Sequence, residues 1–436
     1  MRGLRRWWDG TAGGLPATFW YLWAGLLVNR AGAFAVLFLS LYLTAARGAS
    51  ESLAGVVVGA YGAGGAVGVL LGGVLADRWG RRATLLAAHL AAAGLMAGLA
   101  FSEHLAMIAA LAALVGVAHS MPSPAFVAAI VDVVPEHRRS RAFNLQFWAF
   151  NLGMAVASLL AGLLAEASFL ALFLVDAAAT LAAAGLIAWK VPETLPHRRS
   201  KRAESHPEQA RGGRITGDAV ADRAGRVRPP GLHTALTDRT FLVFVGLTFV
   251  LAVLTMQIST IMPLAMRADG LSPSAYGTVV ALGGALIVVG QLFVPALIDR
   301  RRAHRVLALS TGLLAVGFGV LALADQLWVY LAAAVVWTVG SMLAAPPNAQ
   351  INADLAPPEL RARYQSVFYL TFPAASFVAP TLGGVSLQYL GERHWLVVAA
   401  LGLLAAGGHL LAGPSRERRV AARRVAEPGA APQPVG

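Results

Sequence analysis

The sequence predicts an all-α integral membrane protein with twelve transmembrane helices in two six-helix parallel repeats and both termini in the cytoplasm. Three observations carry this: the composition, the alternation of charge between apolar stretches, and a repeat at one constant offset. Of 436 residues, 57% are hydrophobic and 13% charged, and the mean hydropathy is +0.64. Soluble domains carry about 25% charge, so lipid is the expected solvent. The 46 glycines and ten tryptophans agree, since Gly lets helices pack closely and Trp favours the interface. No cysteine is present, which excludes disulfides and thiolate metal sites.

A bilayer core about 30 Å thick needs roughly 20 apolar residues to cross as helix. Twelve such stretches follow in order. The first half holds 18–44, which carries Asn29-Arg30; 52–76, rich in glycine; 83–101; 104–131, interrupted by Met121-Pro122-Ser123-Pro124; 142–165; and 168–190, which carries Asp176. The second half holds 240–263, 274–298, 305–323, 327–351, 365–389 and 395–412. Helix is the only open-ended choice here, because each N–H and C=O in hydrocarbon must be paired within its own segment. The first stretch is too long for a signal peptide and lacks a following cleavage site.

The loops alternate in charge. One side carries Arg2, Arg5, Arg6, then Arg78, Arg81, Arg82, then Arg138, Arg139, Arg141. The same side continues with Arg300 to Arg302, Arg305, Arg361, Arg363 and a basic tail from Arg416 to Arg424. The other side has only Arg47, Arg267 and Arg393. Positive residues stay inside, so the termini are cytoplasmic and the span count even. The net charge of +13 therefore reads as topology, not nucleic-acid binding. Residues 191–239 are polar and basic and read as a cytosolic linker between halves 1–190 and 240–412; residues 413–436 read as a disordered cytoplasmic tail.

A shift of 222 positions superimposes the halves. Gly55, Gly62 and Gly68 fall on Gly277, Gly284 and Gly290; Asp77-Arg78 falls on Asp299-Arg300; Pro124 meets Pro346, Asp132 meets Asp354, and Gly162 meets Gly384. A six-helix shift preserves orientation, so the halves are parallel repeats, an arrangement suited to alternating access around a midplane site.

The second and third stretches are joined by Gly73-Val74-Leu75-Ala76-Asp77-Arg78-Trp79-Gly80-Arg81-Arg82. This run resembles the G-x-x-x-D-R-x-G-R-R motif of the major facilitator superfamily, and the twelve stretches, repeat and central linker extend the resemblance over nearly the whole chain. The resemblance implies that Asp77 meets the start of the eleventh helix near Tyr364, and by symmetry that Asp299 meets the fifth near Ala142, latching the cytoplasmic side shut. The second copy has Pro295 in place of its first glycine and Ala303 in place of part of its basic cluster, so the second latch is expected to be weaker. A fifth-helix motif of antiporters, G-x-x-x-G-P-x-x-G-G, survives only in spacing at Gly153 to Gly162, while Ala379-Pro380-Thr381-Leu382-Gly383-Gly384 keeps more of it. A fourth-helix arginine of proton-linked drug exporters is replaced by Ala112. These departures weaken the case for proton antiport.

Ionisable groups within spans are functional candidates. Arg30 reads as a contact for an anionic substrate, a countercharge to a titrating acid, or a structural arginine. The run from Asn29 to Leu43 resembles the first helix of bacterial drug exporters. Asp176 is the best proton-carrying carboxylate if it faces a cavity, and otherwise a packing residue; His119 titrates near neutrality and is the second coupling candidate. His89 and His409 read as packed or interfacial, and Asp132 and Asp354 as gate or structural residues. The cavity wall is expected from Asn29, Arg30, Tyr42, Ser120, Gln257, Trp337, Asn348, Gln350, Gln365 and Tyr369. Such a lining suits lipophilic or amphipathic molecules.

These readings together give a secondary active transporter of the bacterial inner membrane, exporting small molecules against protons, functional as a monomer, without cofactor. No phosphate-binding G-x-x-x-x-G-K-[ST] run is present to couple ATP, and no acid/base or metal cluster suggests an enzyme. The alternatives are a metabolite importer on the same fold, or a membrane sensor that moves nothing.

Overall fold

Backbone pairing within each segment dominates the architecture. In a computed structural model, residues 13–194, 232–290, 293–298, 301–357 and 360–426 are described, and among them the regular structure is helical, without strands. Eleven helices are long and apolar enough to cross a membrane. The first predicted stretch is instead two shorter helices, α1 (Ala17–Ala31) and α2 (Ala35–Ala46), broken at Gly32 to Phe34. The first half continues with α3 (Glu51–Arg78), α4 (Arg81–Phe101), α5 (Leu105–Ser120), α6 (Pro122–Val133), α7 (Arg139–Ala167) and α8 (Phe169–Lys190). The second half holds α9 (Leu232–Thr237), α10 (Arg239–Thr260), α11 (Met262–Ala268), α12 (Pro273–Gly290), α13 (Val294–Ile298), α14 (Ala303–Val320), α15 (Leu327–Leu355), α16 (Arg361–Tyr369), α17 (Thr371–Leu390) and α18 (Arg393–Ala426).

Helix ends follow local chemistry. Ser50 and Ser168 cap α3 and α8 through their hydroxyls, and Asp238 caps α10 by accepting from Phe241 N–H at 3.1 Å. Gly80 turns the chain between α3 and α4 at φ 108°, a region closed to most side chains. Pro122 restarts the fourth span as α6, as the Met121 to Pro124 run predicts, whereas Pro346 and Pro347 sit inside an uninterrupted α15. The last helix runs to Ala426, so the tail expected from 413 begins as helix. Most of the expected linker, 195–231, lies outside the described residues, as do Asp299 and Arg300.

Packing repeats the 222-residue offset. In the first half α3 packs on α5, α4 on α8 and α1 on α7; in the second α12 packs on α15, α14 on α18 and α10 on α17. The halves meet where α3 crosses α17 and where α7 crosses α12. Backbone approaches backbone there: a Cβ on Gly55 would strike the Pro380 carbonyl and crowd Gly384, and a Cβ on Gly277 would strike the Ser158 carbonyl and approach Gly162. The repeat pairs Gly55 with Gly277 and Gly162 with Gly384, so the two crossings are copies of one contact. Outward helix faces carry exposed apolar side chains such as Leu163, Leu404 and Leu411, the inverse of a soluble surface.

Candidate functional site

The contacts between halves cluster at one end. On α3 they involve Glu51 to Gly62 and on α17 Ser376 to Gln388; on α7 they involve Asn151 to Glu166 and on α12 Pro273 to Gly284. Hydrogen bonds joining the halves include Ser52 N–H to Gln388 Oε1 at 3.1 Å and Ser274 N–H to Glu166 Oε1 at 3.2 Å, with the Ser272 and Ser274 hydroxyls also donating to Glu166. Phe38 adds an edge-on contact to Tyr276, centroids 5.1 Å apart. All of these lie away from the end that carries Arg78, Arg81, Arg138, Arg361 and Arg363. Toward that basic end the facing helices part, leaving Phe147, Phe150, Tyr369 and Phe372 exposed at 42%, 38%, 62% and 44%.

Two cavities of about 280 and 420 Å³ sit in this parted region, one in each half. Their linings correspond at the repeat offset. Asn29, Arg30, His119, Pro122 and Ser123 of the first answer to Leu251, Ala252, Ser341, Ala344 and Ala345 of the second. Phe126, Phe143, Gln146, Phe147 and Phe150 answer to Asn348, Gln365, Phe368, Tyr369 and Phe372. The two cavities are thus pseudo-twofold counterparts, a first and a second lobe, and the offset extends to the first helix of each half.

Within the first lobe the guanidinium of Arg30 lies over the Phe150 ring at 4.7 Å. Its Nε is shielded and without a hydrogen-bond partner. Gly153 lets α7 approach the backbone beside Arg30. His119 Nδ1 lies 3.3 Å from the Tyr61 hydroxyl. Asn29 donates to Thr180 Oγ1 at 3.4 Å. His89, expected as a packed residue, is 3% exposed at the back of this lobe, its Nδ1 2.7 Å from Leu85 O. In the second lobe Thr248 donates to Asn348 Oδ1 at 3.1 Å.

Asp176, 1% exposed, lies behind the lobe, not on its wall. It accepts from Phe34 N–H at 3.0 Å and from the Thr180 hydroxyl at 3.5 Å, so its carboxylate supports the exposed backbone where the first span breaks.

Several expected wall residues lie elsewhere. Tyr42 is 3% exposed, packs on Phe173 and Phe169, and accepts from Arg47 Nε at 2.8 Å. Trp337 is 2% exposed and stacks on Phe318 in the second-half core. Ser120 faces Gly65 of α3, its neighbour His119 taking the lobe instead. Gln257 is buried against Gly383 at the contact of α10 and α17. Gln350 opens onto a separate cavity at the basic end, beside Asp354 and Arg416. Each is polar or aromatic on the right helix, but helix rotation decides which face it occupies.

The motif at the end of α3 forms an ion network inside the first half. Arg81 pairs with Asp132 at 2.9 Å and with Asp77 at 3.4 Å. Glu193, which the sequence reading passed over, accepts from the backbone N–H groups of Arg81 and Arg82 at 2.8 and 3.1 Å, capping α4. A Cβ on Gly80 would collide with Glu193, so the turn glycine also makes room for this cap. Asp77 is 77% exposed and not engaged by the eleventh span. Tyr364 instead donates to Asp238 at 2.8 Å, and Asp238 forms a two-pronged pair with Arg419 at 2.5 and 2.6 Å. Burial alone would raise the Asp238 carboxyl, but Arg419, Tyr364 and the Phe241 N–H together hold it below the usual carboxylate range. A Cβ on Gly73 would meet nothing within 4 Å. The expected second latch residues Asp299 and Arg300 lie outside the described residues.

Comparison with known proteins agrees with this geometry. A POT family transporter in complex with a thioalcohol-conjugated peptide superposes with a TM-score of 0.74 at 15% identity, covering 94% of this chain and 98% of that one. The uncharacterised MFS-type transporter YttB of Bacillus subtilis (strain 168) is 28% identical over 89% of this chain and 93% of its own. The multidrug resistance protein MdtH of Klebsiella pneumoniae is 24% identical over 77% and 79%. The sequence model of the Major Facilitator Superfamily matches residues 22–380 and, in a second match, 244–434. With eleven helices long and apolar enough to cross a membrane, halves packed in a repeated pattern, and this family match along most of its length, the chain belongs to the major facilitator superfamily of membrane transporters.

Proposed function

We propose that this chain is a secondary transporter of the bacterial inner membrane that exports small amphipathic molecules by alternating access, coupled to proton entry. The observation that carries the reading is the pair of lobes matched at 222 residues, with the close inter-half crossings among the described residues gathered toward one end. Such a site is exposed to one side at a time if the halves rock about it. The positive-inside rule assigns the parted end to the cytoplasm, with both termini there and the broken first stretch counted as a twelfth span. MdtH, by its name a multidrug resistance protein, supports export. Transport by the monomer is part of this reading, since both lobes belong to one chain.

His119 is the group best placed to link protons to the site. It lines the lobe and is faced by the Tyr61 hydroxyl, by Arg30 and by His89, whereas Asp176 is held by a backbone N–H. Proteoliposomes with an imposed pH gradient and an internal pH dye test both points. Compound-dependent proton movement opposite to the compound is expected, with the coupling lost in His119→Gln and kept in Asp176→Asn. Co-directional movement would establish an importer instead. Binding without flux would mean a sensor.

A further inference from the structure

The two lobes share a frame but not a charge. At the position of Arg30 the second lobe has Ala252, and at the position of His119 it has Ser341. No Asp or Glu lines either lobe among the described residues. The permanent charge of the site is therefore a single guanidinium on one side of a mostly apolar space.

The Nε of that guanidinium is buried without a hydrogen-bond partner, the group lies over the face of Phe150 at 4.7 Å, and Tyr61 and Asp176 are its electrostatic neighbours. A charge withdrawn from water is costly unless an opposite charge and hydrogen bonds meet it. The nearby carboxylate, Asp176, is already committed to Phe34 N–H and to the Thr180 hydroxyl. A planar guanidinium presents a fork that matches a carboxylate, and the ring stacked on it leaves the fork edge for a ligand. Across the site, Met256, Phe368 and Phe372 offer apolar surface with no formal charge.

We propose that the first lobe is an acid-binding subsite and that the transported molecule is an amphipathic organic acid. Its carboxylate pairs with Arg30, with Asn29 and His119 as flanking donors, and its apolar body lies across into the second lobe. This deepens the transport reading of the same cavity, and it disfavours lipophilic cations, which would meet Arg30 with no carboxylate on the wall to receive them.

The test uses purified full-length protein and three matched probes: 4-butylbenzoate, 4-butylbenzamide and 4-butylbenzylamine. Equilibrium binding is followed by intrinsic tryptophan fluorescence. The benzoate is expected to bind at least about tenfold more tightly than the amide or the amine. Arg30→Gln should erase that preference while amide binding persists, and Arg30→Lys should keep part of it. Ser123→Glu, at an exposed position on the same lobe, should turn the preference toward the amine without touching Arg30. Equal binding of the three probes, or preference for the amine in the unmodified protein, would overturn the proposal even if Arg30→Gln failed to fold. The same probes in proteoliposomes separate the two readings. Benzoate binding without flux would sink transport and keep the acid site; amine flux without benzoate binding would do the reverse.

Discussion

Asp238 shows how one side chain ties three elements together. It caps α10, receives the Tyr364 hydroxyl from α16, and pairs with Arg419 near the end of α18, with its own side chain 6% exposed. Asp238→Asn keeps an acceptor for the cap but loses the charged pair, a cost of about 2 kcal/mol for a hydrogen-bonded charge. The folded-state carboxyl is held below the usual range, so its contribution is complete at neutral pH, where folded and unfolded forms are both ionised. It is lost as pH falls from the ordinary Asp range through the lower folded value. Thermal unfolding of wild type and Asp238→Asn in detergent should therefore differ at pH 7 and converge as pH falls below the ordinary Asp range. A difference independent of pH would show that the charge is not what stabilises.

At the scale of elements, the broken first span is the feature that apolar patterning did not anticipate. The stretch 18–44 is long enough to run straight through, yet it stops at Ala31 and restarts at Ala35. A Cβ on Gly32 would collide with Ala179, so α8 presses on the chain at this point, and Asp176 from the same helix accepts the Phe34 N–H that the break exposes. Asp176→Leu should leave that N–H unpaired in a dry environment and cost about 1 to 3 kcal/mol. Asp176→Asn, which keeps an acceptor oxygen, should cost less. Thermal stability of the two variants checks the order; equal losses would mean that the carboxylate acts through its charge and not as an acceptor. The interruption was legible only as two polar residues, Asn29 and Arg30, because a helix break set by a neighbouring helix leaves no mark in its own sequence.

For the whole molecule, the proposed alternating access makes the joined end and the parted end one of two states. The chain has no native cysteine, so an introduced pair reports on geometry directly. Cysteines at Ser52 and Gln388, joined by a short thiol-reactive crosslinker, should hold the crossing of α3 and α17 shut and stop flux, with return on cleavage of the linker. Full crosslinking with unchanged flux would show that this end never opens. In the opposite state, Gly73 and Asp77 should be covered by the start of the eleventh span. Asp77→Asn should then shift the population toward the parted form, read as increased labelling of a cysteine placed at Gly73. Unchanged labelling and unchanged flux would leave Asp77 as a local partner of Arg81.

The repeat, the spans after the first and the basic end were all determined by the sequence, because bilayer thickness and charge sidedness act on local composition and need no tertiary contact. The pairing of Gly55 with Gly277 and of Gly162 with Gly384 was visible as a constant offset; that the two pairs form the two crossings between halves was visible only once the helices were packed. The site divides in the same way. Of the expected wall residues, Asn29, Arg30, Asn348, Gln365 and Tyr369 line the two cavities, while Tyr42, Ser120, Gln257, Trp337 and Gln350 turn elsewhere; His119, expected as a coupling residue and not as wall, also lines the first, and the aromatic wall of Phe143, Phe147 and Phe150 went unnamed. Carrying Gln365 and Tyr369 back by 222 positions would have found Phe143 and Phe147. Rotation of each helix about its axis remained for the tertiary structure to decide, because in lipid an apolar residue is at home on either face, and only close packing against neighbouring helices selects which one.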